Sequence, residues 1–264
     1  MNYKLLATDF DDTLLSDDLT VSKENSLALL KAKEAGIIIS IVTGREYAAF
    51  KEYWDRLSFG DYGVILGGSQ IAKRDGTIID HRYLKEDILD RTYDYIKKND
   101  LYFQVFTGFS YYYNREDQKH DTYSQITKNY GEYKEDIFSV KKDVGKIIII
   151  ADEENVKTMS KELNEKFKGK AHVIISKPTY IEISDIEATK GYALLRLIDI
   201  LGIKKEETIA IGDGPIDISM IKEAGLGIAV SNAVEELKKQ ADYISPSNNE
   251  NAIAHVIYKY INEV

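Results

Sequence analysis

Apolar residues along this chain come in short unbroken runs, set between amphipathic stretches and closed by glycine or aspartate. Leu5-Leu6-Ala7 is such a run and marks a buried first strand over Tyr3 to Thr8, which delivers the chain into Asp9-Phe10-Asp11-Asp12-Thr13-Leu14. Ser22 is a good N-cap for a helix running to about Ala35, and Gly36 suits its left-handed stop. Apart from Ser40, Ile37 to Val42 is β-branched with no alternation, the pattern of a strand buried on both faces, and it ends at Thr43-Gly44-Arg45. A helical segment from about Glu46 to Leu57 follows. Tyr62 to Leu66 is a third strand ending in Gly67-Gly68, and Asp75-Gly76 signals a tight hairpin. Strands alternating with helices predict an α/β fold with a right-handed, doubly wound parallel sheet. Ligands of such sheets bind at the carboxyl ends of the strands, where Asp9, Thr43 and Gly67 all fall.

From about Leu84 the pattern changes. A helix over roughly Lys85 to Lys98 leads into a hairpin, Phe103 to Phe106 and Tyr111 to Asn114, with Gly108 between. A helix near 117–129, a strand at Lys146 to Ala151 and a helix near 154–167 come next. Two strands, Val173 to Ser176 and Tyr180 to Ser184, then flank Pro178. Nine of the nineteen tyrosines lie between 93 and 133, so this stretch is compositionally its own. Hairpins in place of strict alternation predict an α+β module inserted into the first domain. Tyr111-Tyr112-Tyr113 has two readings, a ligand surface or β-favouring aromatics packing in a strand. After Asp185 the first pattern resumes. Lys190 opens a helix that Gly202 ends, Thr208 to Gly212 is a buried strand stopping at Asp213, and Pro215 sits in a first helical turn. Gly227 to Val230 and Asp242 to Ile244 are short strands, and a helix closes the chain.

Composition narrows the partners. The formal net charge is -9 with no long basic run, which argues against nucleic acid, whose backbone is bound by clustered Lys and Arg. There is no cysteine, so disulfides, thiolate catalysis and Cys-ligated zinc are excluded together. A core strand from Tyr3 leaves no room for a signal peptide, and apolar runs such as Ile147 to Ile150 are far too short to cross a bilayer. The expectation is a cytoplasmic protein with neither membrane nor nucleic acid as partner.

The polar residues at the predicted strand ends and helix starts carry the chemistry. In an extended chain Asp9 and Asp11 point to one side, and a bound cation or a shared proton would relieve their repulsion. Asp213 and Asp217 are four apart near a helix start and can share a face beside backbone N–H groups. Carboxylates with no His or Cys nearby select a hard cation, usually Mg²⁺. With Thr43 and Lys190 added, the set resembles a phosphoryl-transfer site, where an anionic nucleophile must approach an anionic phosphate. Singly, each has a plainer reading: Thr43 as a cap, Lys190 as a solvated first-turn lysine, Asp217 as a helix-dipole partner.

Four stretches in order also resemble the motifs of the haloacid dehalogenase superfamily. They are Asp9 to Leu14, Thr43-Gly44-Arg45, Lys190-Gly191, and Gly212-Asp213-Gly214-Pro215-Ile216-Asp217. An insertion of roughly a hundred residues between the second and third resembles the Cof-type branch with a C2 cap. The resemblance implies a Rossmann-like core of residues 1–83 and 186–264 and an inserted α+β cap of residues 84–185. It implies a phosphatase for a small phosphate ester such as a sugar phosphate or phosphorylated cofactor. Asp9 would be the nucleophile, forming an aspartyl-phosphate, and Asp11 the acid and then the base. Thr43 would hold a phosphoryl oxygen and Lys190 would offset charge. Mg²⁺ would be bound by Asp9, Asp213 and the carbonyl of Asp11, with Asp217 direct or through water. Gly44, Arg45 and Asn232 match positions near the phosphate. Three residues depart from the commonest pattern: Asp12 stands where glycine is usual, and Gly67 and Ile216 each stand where asparagine is usual. Two other readings remain at this point, a module that is phosphorylated on aspartate for signalling, and a relative that binds a phosphorylated ligand without turnover.

Overall fold

The structure, a computed structural model, describes residues 3–127 and 129–261. The chain divides into two compact units, one of Met1–Gly44, Tyr53–Asp80 and Thr189–Val264, the other of Arg45–Glu52 and His81–Ala188.

The amino-terminal part of the chain runs β1 (Leu5–Asp9), α1 (Lys23–Glu34), β2 (Ile38–Val42), α2 (Tyr47–Arg56), β3 (Tyr62–Ile65), β4 (Gln70–Lys73) and β5 (Ile78–His81), the first residues of α2 belonging to the second unit. The inserted part runs α3 (Glu86–Lys98), β6 (Phe103–Phe106), β7 (Tyr111–Tyr113), α4 (Gln118–Thr127), β8 (Glu132–Tyr133), β9 (Lys146–Ile150), α5 (Glu153–Phe167), β10 (Ala171–Lys177) and β11 (Tyr180–Asp185). The carboxyl-terminal part returns with α6 (Lys190–Leu201), β12 (Thr208–Gly212), α7 (Ile218–Glu223), β13 (Leu226–Val230), α8 (Glu235–Lys238), β14 (Tyr243–Ser245) and α9 (Ala252–Tyr260). Residue 128, within the helix expected near 117–129, lies outside the described residues. Among the described residues no helix is long and apolar enough to cross a membrane.

The first unit is organised by β1, all five residues of which are buried. It pairs in parallel with β12 on one side and β2 on the other, with Ala7 opposite Ala210 and Ser40. The full order is β14-β13-β12-β1-β2-β3-β4-β5, parallel from β14 through β3, and β4 turns back antiparallel on β3. From β1 the chain therefore winds one way to β2 and β3, and later the other way to β13 and β14. Such a reversal opens a crevice at the carboxyl ends of the adjacent strands. β12, β1 and β2 end there at Gly212, Asp9 and Val42, which brings three of the four motifs side by side.

The predicted caps form. The Ser22 side chain accepts a hydrogen bond from the Asn25 N–H at 3.1 Å, and Gly36 and Gly202 close α1 and α6 at φ 87° and 65°. The fourth motif-bearing element, α6, is placed by a close approach. A Cβ on Gly68 would lie 2.3 Å from the Thr189 carbonyl oxygen, so only glycine lets the turn after β3 meet the start of α6.

In the second unit the sheet order is β10-β11-β9-β6-β7-β8. Side chains alternate across it. Phe103, Val105, Ile147, Ile149, Ile181 and Ile183 pack with α3 and α5 in one apolar core, while Gln104, Phe106, Lys146 and Glu182 take the alternate positions. Tyr111 and Tyr113 are buried, and Tyr111 packs between Phe106 and Tyr123 with ring centroids 5.0 and 5.1 Å away. For these two tyrosines packing is the reading the structure supports. Residues 45–52 group with this unit because the Ala48 N–H donates to the Phe109 carbonyl at 3.0 Å, Asn129 donates to the Glu46 carboxylate, and the Tyr47 and Phe109 rings meet edge to face.

Candidate active site

Asp9 is the last residue of β1 and only 5% exposed. The chain then makes one tight turn over Phe10–Leu14, closed by the Leu15 N–H on the Phe10 carbonyl at 2.9 Å. Within it Asp11 is extended (φ -77°, ψ 136°), and Asp12 is left-handed at φ 58°. That conformation favours glycine and is tolerated best, among other residues, by Asn and Asp, so the aspartate at position 12 preserves the turn.

Lys190, the first residue of α6, is 1% exposed and reaches between two carboxylates. Its ammonium donates to Asp9 Oδ1 and, at 2.5 Å, to Asp217 Oδ1. Asp217 Oδ2 accepts from the backbone N–H groups of Asp213 and Gly214 at 3.1 and 2.9 Å. Both oxygens of Asp217 are thus occupied by protein donors. Gly212 must be glycine for this loop to close, since a Cβ there would fall 2.6 Å from that of Asp217. Asp213 Oδ1 accepts from the Thr13 hydroxyl at 2.7 Å, a contact that ties the first motif to the fourth. One carboxylate oxygen from each of Asp9, Asp213 and Asp217 lies within 4.8 Å of the others.

Three carboxylates therefore surround one ammonium, with Asp9, Asp217 and Lys190 buried and Asp213 half-buried. Burial, followed by the charge on Asp217, raises the Asp9 carboxyl well above its usual range, and Lys190 offsets only part of this. Burial and Asp217 likewise push Asp213 up to about 6, against the pull of the Thr13 hydrogen bond. Burial alone would lower the Lys190 ammonium, but Asp217 and Asp9 outweigh it and hold the group charged. The surplus negative charge and the oxygen-only donor set fit a hard divalent cation. Asp9 and Asp213 each keep an oxygen with no protein donor among the described residues.

A cation and a proton would compete for Asp213. Apparent metal affinity is expected to fall as pH drops from 7 to 5, by at least about tenfold per unit below pH 6, since metal must displace a proton from Asp213 and Asp9 is raised as well. Metal titrations followed by thermal shift at several pH values check this. An affinity flat across that range would contradict it.

The other sequence-predicted residues are placed as follows. Thr43 is fully buried just beyond β2, with its N–H on the Val64 carbonyl at 2.8 Å and its carbonyl accepting from the Gly67 N–H at 3.0 Å. Gly44 faces the Ile216 side chain, whose δ-methyl would lie 3.9 Å from a Cβ at that position. Arg45 is buried and belongs to the second unit. Asn232 is exposed and donates its amide to the Asp12 carbonyl at 2.8 Å. Gly67 is left-handed at φ 67° with open space where a Cβ would go, so an asparagine would fit the same backbone. The individual role of Thr13 was not legible from the motif spacing alone, nor was that of Asn248, described below.

A doubly wound sheet with buried carboxylates and a lysine at its reversal point defines an α/β enzyme built for reaction at an anionic group. Comparison with known proteins gives the class its family. A family model for haloacid dehalogenase-like hydrolases matches residues 6–257, and the chain belongs to that family. It is 30% identical over 287 residues to the Bacillus subtilis (strain 168) 5-amino-6-(5-phospho-D-ribitylamino)uracil phosphatase YwtE, covering 96% of each chain. It is 29% identical to a second phosphatase of that name from the same organism, YcsE, covering 99% of this chain and 97% of the relative. A crystal structure of a haloacid dehalogenase-like hydrolase from Bacteroides thetaiotaomicron superposes with a TM-score of 0.86 at 28% identity, covering 98% of this chain and 99% of that one. The chain is an enzyme of this hydrolase type.

Proposed function

We propose that the chain is a Mg²⁺-dependent phosphatase that hydrolyses a small phosphate monoester through an aspartyl-phosphate on Asp9. The observation that carries this is the Lys190 ammonium held on Asp9 Oδ1 in a group of three carboxylates, two buried and Asp213 half-buried. A lysine there neutralises one oxygen of a carboxylate while the other stays open to attack phosphorus.

In the first step an Asp9 oxygen bonds to phosphorus, the ester P–O bond breaks, and Asp11 gives its proton to the leaving alcohol. In the second, Asp11 takes a proton from water, the water oxygen attacks phosphorus, and inorganic phosphate leaves with Asp9 restored. Thr43 holds a phosphoryl oxygen and Lys190 offsets charge between nucleophile and phosphate. Gly44, Arg45 and Asn232 belong to the phosphate pocket or its support. Asp9, Asp213 and the Asp11 carbonyl would hold the cation, and Asp217 would act through water, its own oxygens being occupied by Lys190 and two N–H groups. When bound, Mg²⁺ supplies positive charge for the meeting of two anions.

We read residues 84–185 as a C2-type cap that selects the organic part of the substrate. Two relatives are named for a phosphorylated ribitylamino-uracil, which supports a sugar phosphate or phosphorylated cofactor as the substrate class. A screen of phosphate monoesters with Mg²⁺ and with chelator tests the proposal. Multiple turnover is expected with Mg²⁺, a loss of about 100-fold or more with chelator, and recovery on adding the metal back. Turnover indifferent to chelator would overturn the metal. Tight binding of esters with no turnover would favour a ligand-binding module instead.

A further inference from the structure

We propose that Asn248 is a positioning residue of the active site, holding the turn that carries Asp11 at two points: its backbone N–H aligns the Asn232 amide on Asp12, and its side chain holds the Leu15 carbonyl where the turn ends; this rests on the role of Asp11 given above. The turn over Phe10–Leu14 holds a non-glycine residue, Asp12, in the left-handed region, a conformation that persists where the surroundings determine it. Those surroundings include asparagines from the segments that follow β13 and β14. Asn232 Nδ2 donates to the Asp12 carbonyl at 2.8 Å. The Asn248 backbone N–H donates to Asn232 Oδ1 at 3.0 Å, which fixes the direction of that amide so that its nitrogen faces Asp12. Asn248 Nδ2 in turn donates to the Leu15 carbonyl and to Asp17 Oδ1, both at 3.1 Å. Asn249 Oδ1 accepts from the Asp17 N–H at 3.1 Å, extending the grip one residue further.

The geometry reaches the carboxylate group. The peptide joining Asp12 to Thr13 is held by its carbonyl on Asn232, and the Thr13 hydroxyl is held on Asp213. Asp11 lies between this fixed peptide and Asp9 in the reacting turn, and its carboxyl must meet the leaving oxygen and then a water. An amide is the group this task needs, because it donates and accepts at once without adding charge beside Asp12 and Asp17. Asn248 is also 3% exposed, and its bond to the Leu15 carbonyl is buried. Asn232 therefore contributes to the rate through the shape of the turn, and its substitution should alter the chemical step more than substrate affinity.

The test compares Asn232→Ala, Asn232→Asp, Asn248→Ala and the double alanine variant on a good phosphate ester at saturating Mg²⁺. Asn248→Ala keeps the backbone N–H on Asn232 and removes only the bonds to Leu15 and Asp17. The expected result is a fall in kcat of about tenfold or more in each single variant, with KM within about twofold of the parent. Asn232→Asp keeps the acceptor for the Asn248 N–H but presents oxygen to the Asp12 carbonyl, so it should lose as much as alanine. The double variant should be little worse than the worse single one, because both act on one turn. If Asn248→Ala does not fold, Asn232→Ala, at an exposed position, carries the same reading. A raised KM with unchanged kcat would mean that Asn232 touches phosphate directly and would overturn the proposal. A lowered Tm with unchanged kcat would leave the asparagines a purely structural clamp and overturn it as well. Absence of turnover in the parent protein would instead overturn the phosphatase reading itself.

Discussion

Asp9→Asn is expected to lose turnover by about 10⁴-fold or more while the metal-free protein melts at a higher temperature than the parent. The two effects have one cause. Asp9 is buried beside Asp217, Asp213 and Asp11 with one lysine to balance them, and its carboxyl is raised well above the usual range. An acid so raised favours the folded state only while protonated; that stability is present below its unfolded value and lost as pH rises through the folded one. Holding charge on Asp9 in this site therefore costs stability, and an uncharged amide of the same shape removes that cost. Adding Mg²⁺ should reverse the order, because binding stabilises the parent and the variant lacks a ligand. Melting curves with and without Mg²⁺ at pH 7, set beside initial rates, check both halves. A variant that turns over, or one that melts lower without metal, contradicts this account of Asp9.

Lys190→Met has the opposite expected sign on stability and the same sign on rate. The ammonium is 1% exposed and donates to both Asp9 and Asp217, so its removal leaves two buried carboxylates without a counter-charge. Breaking a buried pair from one side costs about 3–5 kcal/mol. Loss of charge compensation between nucleophile and phosphate should lower kcat by about 10³-fold. High Mg²⁺ should restore part of the stability, since a cation can take up some of the unbalanced charge. It should not restore turnover. Denaturant unfolding with and without Mg²⁺ separates the two, and a variant as stable as the parent in metal-free buffer would show that Lys190 is not the counter-ion of this site.

Much of the site was legible because buried parallel strands write themselves as unbroken apolar runs. Leu5-Leu6-Ala7, Ile37 to Val42 and Thr208 to Gly212 gave β1, β2 and β12, and the polar residue ending each run gave the carboxyl-edge groups. What was not legible depends on contacts between residues far apart in the chain. The left-handed Asp12 is held by Asn232, 220 residues away, so no local pattern announces it. The resemblance implies Asp217 as a metal ligand, direct or through water, but the bonds its oxygens accept from Lys190 and two N–H groups are a fact of loop geometry that no local pattern shows. Residues 45–52 look continuous with the second motif but group with the inserted unit through the Phe109 carbonyl and Asn129. β8 is two residues long and has no periodicity to read.

The central claim is a covalent phosphate on Asp9, and Asp11→Asn offers the most direct view of it. With p-nitrophenyl phosphate the leaving group hardly needs a proton, so the first step should survive the loss of Asp11. The second step still needs a base for water and should slow sharply. Rapid mixing should therefore give a burst of p-nitrophenol equal to the enzyme present, followed by slow turnover. Intact-mass measurement of the quenched variant should show one added phosphoryl group, and fragmentation should place it on Asp9. Normal turnover by Asp11→Asn, or a phosphoryl group found on any other residue, would contradict the mechanism.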